Sequence, residues 1–224
     1  MPYTVVSYDA GIRRTLPYYD LFHAETMDLV RTVHPHPRLW VDTGCGTGSM
    51  VRSALLAFPK TRFVLADPNS GMLAAADADI SRKDRKRAES LPPMGSAGLS
   101  VYKGRLKADV VTAIQCHHYL STGARLTAVK ACRDLLVPGG LLVVFENIAP
   151  DTREGIRIGL KRWASFQVAR GKSRSEAAKH VGRYGKAFYP ITLDAHIKLL
   201  RRAGFKTVEL FWRSHLQAGF YAIK

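Results

Sequence analysis

The 224-residue sequence is short of acids: 18 Asp and Glu face 34 Lys and Arg, leaving a net charge of +16. It is also short of cysteine. Cys45, Cys116 and Cys132 are far apart and form no CxxC pair. That excludes a disulfide framework and a thiolate zinc site, and it suits a reducing cytosol. No run of about 18 uncharged apolar residues occurs, so no membrane span is expected. The first residues, MPYTVVSYDAGIRR, lack the basic, apolar, small-residue order of a secretory signal, and a cytoplasmic location is expected. Internal repeats and low-complexity tracts are missing as well.

What is present is ordinary globular composition, 46% hydrophobic and 23% charged, enough for one sizeable core. A single domain over residues 1–224 is expected. The excess of positive charge suits an anionic small substrate or a nucleic acid, and equally a merely solvated surface.

Residues 18–33 place Leu21, Phe22, Met27, Leu29, Val30 and Val33 at helical spacing, and His34-Pro35-His36-Pro37 ends that helix. Residues 1–38 therefore read as a helical cover. RLWVDTG reads as a first strand, RFVLADP (62–68) as a second, Val110–Ile114 as a buried strand and LLVVFENI (141–148) as another. A short strand is expected at VYKG (101–104). Helices are expected over 49–60, over 70–89 with a basic end RKDRKR (82–87), over 124–137, through most of 151–189, and over 193–205. Residues 90–100 read as loop, and the tail after Lys206 as two strands without a helix between them. Strands alternating with helices imply an α/β fold. The expected sheet is Rossmann-like and seven-stranded. It is mostly parallel, covered by helices on both faces, and finishes with an antiparallel C-terminal strand.

The stretch LWVDTGCGTGSM (39–50) carries the chemistry. A strand runs into Asp42, and Gly44, Gly46 and Gly48 follow at every second position. Glycines at a strand-to-helix turn let backbone approach a ligand closely. A dinucleotide turn, G-x-G-x-x-G, would need a glycine at 49, where Ser49 stands. A phosphate loop would need a lysine, and none follows. The spacing counts against a nicotinamide dehydrogenase.

VDTGCGTG resembles motif I of the class I S-adenosylmethionine-dependent methyltransferases. Downstream, Asp67 closes the second strand 19 residues after Gly48, ADVVTAIQCHHYL resembles that family's fourth strand and loop, and LLVPGGLLVVFENI resembles its helix, Pro-Gly-Gly connector and fifth strand. The resemblance implies an enzyme that uses S-adenosylmethionine and needs no metal. It implies a binding set of Asp42, Gly44, Cys45, Gly46, Gly48, Asp67, Pro68 and Gln115. In that set the glycines pack against the cofactor, Asp42 orients its amino group and Asp67 accepts from the ribose diol. The adenine contact is expected from backbone or apolar groups near Lys103 to Leu106, because VYKGRLKAD offers only Asp109 as an acid.

Methyl transfer needs alignment, and it needs a base only if the acceptor loses a proton. At the end of the fourth strand, Gln115, His117, His118 and Tyr119 are candidates. His117 is carried forward as the candidate base, and His118 reads as packed or surface. Glu146 ends the fifth strand, where it contacts substrate or caps the next helix. Residues 150–190 read as a basic substrate cover, with ten Arg or Lys against three acids over 151–190. A small-molecule acceptor, anionic if the cover shapes the site, is the leading expectation. The alternatives are a tRNA- or rRNA-modifying enzyme and a non-catalytic RNA-binding protein on the same fold. No N/D-P-P-Y/F motif follows the fourth strand, which argues against methylation of a base amino group.

PYYD near the start and the closing strand ending in AIK resemble the carboxy-S-adenosylmethionine synthase-like subset of these enzymes. Arg183 lies seven residues before Pro190, which departs from the spacing of that subset's defining arginine, so carboxyl-group chemistry is the minor expectation.

Overall fold

The computed structural model describes residues 8–224; the first seven residues of the expected N-terminal cover lie outside it. The seven strands among the described residues are β1 (Leu39–Thr43), β2 (Arg62–Ala66), β3 (Ala88–Ser90), β4 (Ala108–Ile114), β5 (Leu136–Asn147), β6 (Thr207–Ser214) and β7 (Gln217–Ile223). They form one sheet in the order β3-β2-β1-β4-β5-β7-β6. β1 to β5 are parallel, and β7 runs antiparallel between β5 and β6. The strand order reverses between β1 and β4, so the loops after those strands open a crevice at the carboxyl edge.

Among the described residues, eight α-helices surround the sheet: α1 (Tyr8–Thr15), α2 (Tyr19–Val33), α3 (Ser49–Ala57), α4 (Ser70–Asp79), α5 (Thr122–Leu135), α6 (Arg153–Ala169), α7 (Arg174–Val181) and α8 (Leu193–Arg202). Neighbouring strand residues go to opposite faces, as the pleat dictates. Trp40, Phe63 and Val143 join one core with Phe22, Trp163 and Phe188, while Val41, Val64 and Val144 join the other with Leu135 and Leu200. Phe22 of α2 stacks on Phe145 of β5 at 4.6 Å between ring centres, which seats the N-terminal cover on the sheet. No helix among the described residues is long and apolar enough to cross a membrane.

Three expectations are corrected. The helix expected over 70–89 stops at Asp79; residues 82–87 turn, and Ala88–Ser90 form β3. Asp84 and Arg87 hold that turn, with Arg87 Nη1 donating to the carbonyls of Phe58 (3.1 Å) and Thr61 (3.0 Å). VYKG is not the third strand: Ser96–Tyr102 is a 3₁₀ turn. The Pro138-Gly139-Gly140 connector lies inside β5, which runs from Leu136.

Candidate functional site

β1 delivers Asp42 to the carboxyl edge, and Gly44, Gly46 and Gly48 then adopt φ of +65°, +55° and +76°. That left-handed conformation is cheap only for glycine. At Gly44 space adds a second demand, since a Cβ there would sit 2.3 Å from Cβ of Cys116. The N–H groups of Gly44 and Cys45 both donate to the Ala66 carbonyl, at 2.7 and 3.2 Å. Asp67 closes the arrangement: its Oδ2 accepts from Gly46 N–H (3.0 Å) and its Oδ1 from Asn69 N–H (2.8 Å). Burial raises the Asp67 pKa, against those two donors. Each carboxylate oxygen keeps a second acceptor direction.

A cavity of about 360 Å³ opens over this turn, within the size range of small-molecule sites (about 300–1,000 Å³). Gly44, Gly46, Asp67, Pro68 and Gln115 line it, together with Ser96, which follows β3. Asp42 and Cys45 border an adjoining pocket. Gly48 borders neither; a Cβ there would meet Ala76 at 3.1 Å, so this glycine serves the contact with α4. Lys103 and Leu106 do not line the cavity. Lys103 Nζ pairs instead with Asp134 at 3.0 Å, and Gly95 and Ser96 form the wall expected from residues 103–106.

Three buried atoms at this site have no hydrogen-bond partner within the described chain: Asp42 Oδ2, Gln115 Nε2 and His117 Nδ1. Asp42 is 2% exposed, and its Oδ1 accepts from Thr112 Oγ1 at 2.6 Å. Trp40 Nε1 donates to that hydroxyl at 2.9 Å, fixing its direction. Burial raises the Asp42 pKa to about 7 despite the Thr112 bond, and Asp67 adds to the rise. Gln115 sits at φ +57°, strained for a residue with a side chain, while its N–H donates to the Phe145 carbonyl at 2.7 Å. Each unpaired buried polar atom costs about 1–3 kcal/mol, which a ligand carrying the matching group relieves. An orphan acceptor (Asp42 Oδ2), an orphan donor (Gln115 Nε2) and a carboxylate with spare lone pairs (Asp67) fit the ammonium, carboxylate and ribose diol of S-adenosylmethionine. Burial drives the thiols of Cys45 and Cys116 strongly upward, so both stay protonated and neither is a nucleophile.

Past β4, a 3₁₀ turn over His117–Tyr119 sends the two histidines to different partners. His117 Nε2 lies 2.8 Å from Ser96 Oγ beside the larger cavity, and burial lowers its pKa. His118 lines a second, inner cavity of about 40 Å³. Glu146, fully buried at the end of β5, accepts from the N–H of His117 (2.9 Å), the N–H of His118 (2.7 Å) and the Nδ1–H of His118 (2.8 Å). Burial works against its charge, but the bond and attraction to His118, with smaller terms from His117 and His196, hold its pKa down at about 2. Glu146 lines neither cavity, and Thr152 rather than Glu146 caps α6. Glu146 orients His118, and an acceptor-only carboxylate on Nδ1–H leaves Nε2 as the ring's lone-pair nitrogen. Arg125 braces this turn by donating to the carbonyls of His117 (3.0 Å), Leu120 (3.2 Å) and Tyr189 (2.7 Å).

Ile12 of α1, Trp163 of α6, His180 of α7 and Phe188, which follows α7, line the inner cavity. Arg183, Tyr119, Tyr8 and Gln115 border both cavities and so stand at their junction. The Arg183 guanidinium lies 5.6 Å from the Phe188 ring centre and hydrogen-bonds Tyr119. His117 thus borders the larger cavity and His118 the inner one; Arg183, visible in sequence only at an unexpected spacing from Pro190, stands at their junction, and Ser96 and His180, for which no local motif existed, join the linings. The basic run 82–87 lines neither cavity.

Residues 41–142 match the family model described as a methyltransferase domain. Among curated proteins, the chain is 23% identical over 219 residues to a carboxy-S-adenosyl-L-methionine synthase of Trichodesmium erythraeum, covering 97% of this chain and 85% of that one. It is 32% identical over 117 residues to a trans-aconitate 2-methyltransferase of Acidovorax, covering 52% of this chain and 41% of that one. Human N-acetylserotonin methyltransferase, solved in complex with SAM, shares the fold at a TM-score of 0.58 and 14% identity, over 98% of this chain and 58% of that one. The chain spans a little over half the length of that solved enzyme.

Proposed function

We propose that this class I S-adenosylmethionine-dependent methyltransferase, assigned to that family by the domain over residues 41–142 and by its relatives, methylates a small anionic molecule on a hydroxyl group. The observation that carries the reading is Arg183, a cation bordering both the cofactor cavity and the inner cavity. A guanidinium there offers bidentate hydrogen bonds to a carboxylate. One of the relatives is named for an anionic acceptor, trans-aconitate.

S-adenosylmethionine supplies an activated methyl group, so the protein's task is alignment and a dry site. Asp42 and Gln115 hold the amino-acid end, Asp67 the ribose and Gly44 and Gly46 the close backbone approach. In the inner cavity His118 Nε2 takes the hydroxyl proton while Glu146 stabilises the imidazolium. Trp163 and Phe188 keep water out. The basic segment 150–190 contributes the cover through α6 and α7. RNA draws support only from net charge.

A second reading has one specific observation in its favour. Because Arg183 reaches both cavities, it also suits a carboxylate carried on the donor itself, as the names of the full-length synthase relatives suggest. Mass spectrometry of the ligand retained on purification separates the two. S-adenosylmethionine or its demethylated product supports methyl transfer, and carboxy-S-adenosylmethionine moves the assignment to the second reading. Methyl transfer from labelled cofactor to a panel of hydroxy acids then tests the acceptor class. Loss of turnover in Arg183→Ala with cofactor affinity intact is expected, and full activity in that variant would sink the anionic reading.

A further inference from the structure

We infer that His180 is a fixed hydrogen-bond donor of the acceptor cavity, locked as such by Lys172 and Gln167, and that with Arg183 it selects an acceptor bearing a carboxylate opposite its hydroxyl. This rests on the reading of the inner cavity as the acceptor site. Gln167 of α6 is fully buried, and the two ends of its amide have different neighbours. Lys172 Nζ, which also donates to Thr15 Oγ1 at 2.7 Å, lies 3.0 Å from Gln167 Oε1. The other end, Nε2, lies 3.1 Å from His180 Nδ1.

The donor inventory leaves one arrangement. An ammonium only donates, so the amide atom facing Lys172 is the oxygen. The amide nitrogen facing His180 then donates, so His180 Nδ1 carries no proton and the neutral ring keeps its proton on Nε2. Burial first, then Lys172, Arg183 and His118, hold the His180 pKa down at about 3, so the ring stays neutral. Trp163, edge-on at 5.0 Å, and Phe188 at 6.0 Å fix its plane.

His118 lines the same cavity in the opposite tautomer. Glu146 only accepts, so His118 carries a proton on Nδ1, and the neutral ring presents its lone pair at Nε2. One cavity therefore offers a proton acceptor (His118), a neutral N–H donor (His180) and a permanent cation (Arg183). A ligand meeting all three has an ionisable hydroxyl at one end and an oxyanion at the other, the pattern of a hydroxy acid. An amide or ester in place of the carboxylate keeps one acceptor oxygen but loses the charge paired with Arg183.

The test is long-range ¹H–¹⁵N correlation NMR of the histidine rings in the intact protein, with acetate as the probe anion. The expected wild-type result is an Nε2–H tautomer for His180 and an Nδ1–H tautomer for His118, with acetate shifting the His180 signals. In Gln167→Glu both side-chain oxygens accept, so the His180 proton moves to Nδ1, and acetate binds about tenfold more weakly for the loss of one charge-assisted bond. Lys172→Met is the second variant: it frees the amide to flip and yields mixed His180 tautomers with His118 unchanged. A wild-type His180 protonated on Nδ1 overturns the inference. Acetate affinity equal in wild type and Gln167→Glu overturns its role in recognition. Neither readout needs cofactor or turnover, so failure of methyl transfer would leave the tautomer assignment standing and be recognised separately.

Discussion

At the scale of single residues, the site works through groups whose charge state the fold has set. Glu146 stays ionised because it accepts three N–H bonds, two from backbone and one from His118. Glu146→Gln keeps the volume but exchanges one acceptor oxygen for a donor, which disrupts the tautomer of His118. Loss of a positioned base costs about 10²–10⁴ in rate, so a fall of that size in kcat is expected with cofactor affinity nearly unchanged. Steady-state kinetics beside calorimetry separates the two, and an unimpaired kcat would remove His118 from the mechanism. Asp42 behaves differently. Its pKa is raised to about 7, so the ligand-free protein carries a proton there at pH 6. The ammonium of S-adenosylmethionine favours the carboxylate, so binding below pH 7 expels that proton. Affinity then weakens as pH falls below 7, by up to about tenfold per unit. Calorimetry at pH 6 in buffers of different ionisation enthalpy measures the released proton, and Asp42→Asn should abolish the release. A wild type that releases none contradicts the assignment of Asp42 to the ammonium.

At the scale of elements, the glycine turn joins β1 to α3 and its residues are unequal. Gly44→Ala meets both a φ of +65° and a Cβ contact of 2.3 Å with Cys116. The conformational and overpacking costs together predict a loss of about 2–4 kcal/mol. At Gly46 the nearest neighbour, Tyr8, is 3.7 Å away, so only the conformational cost of about 1–2 kcal/mol applies. Urea unfolding of both variants checks the ranking; equal losses would show that the Cys116 contact relaxes freely. The same turn shows what is legible in sequence. β1, β2, β4 and β5 could be read because strands buried on both faces are apolar runs, and Gly44 and Asp67 because a tight turn and a strand-end carboxylate have few substitutes. β3 could not. It is three residues long, half-exposed, preceded by a basic run, and exists because β2 offers it a partner from Phe63 to Leu65. Which cavity His117 and His118 each enter was not legible, because a 3₁₀ turn, which no spacing encodes, sends one ring to each. Arg183 was visible in sequence only at an unexpected spacing from Pro190, and His180 not at all; that both reach the inner cavity is a tertiary fact.

At the scale of the whole molecule, the buried ionisable groups make stability depend on pH in a direction that can be worked out. His23 and His196 have pKa values lowered to about 4 and His180 to about 3, in each case chiefly by burial. As pH falls below 6.5 the unfolded chain takes up protons at these three positions and the native state does not, so stability falls. Asp42 and Asp67, with raised values, run the other way, since the native state holds their protons first. Below about 4.5 Glu146 adds to the loss, because its native pKa near 2 lies under its unfolded value. Between pH 7 and pH 5 the three histidines outweigh the two carboxyls. At about 1.4 kcal/mol per proton and pH unit, a net loss of roughly 2–3 kcal/mol results. For a chain of this size that lowers Tm by roughly 5–10 °C. Surface repulsion from the net charge of +16 pushes in the same direction, but salt screens it within about 10 Å at 0.1 M and leaves buried groups nearly untouched. Thermal unfolding at pH 7 and pH 5, each at low and high salt, separates the two sources. The decline should persist in high salt if the buried histidines cause it. A decline that salt abolishes assigns the pH dependence to surface charge and contradicts neutral His23, His180 and His196 in the folded protein.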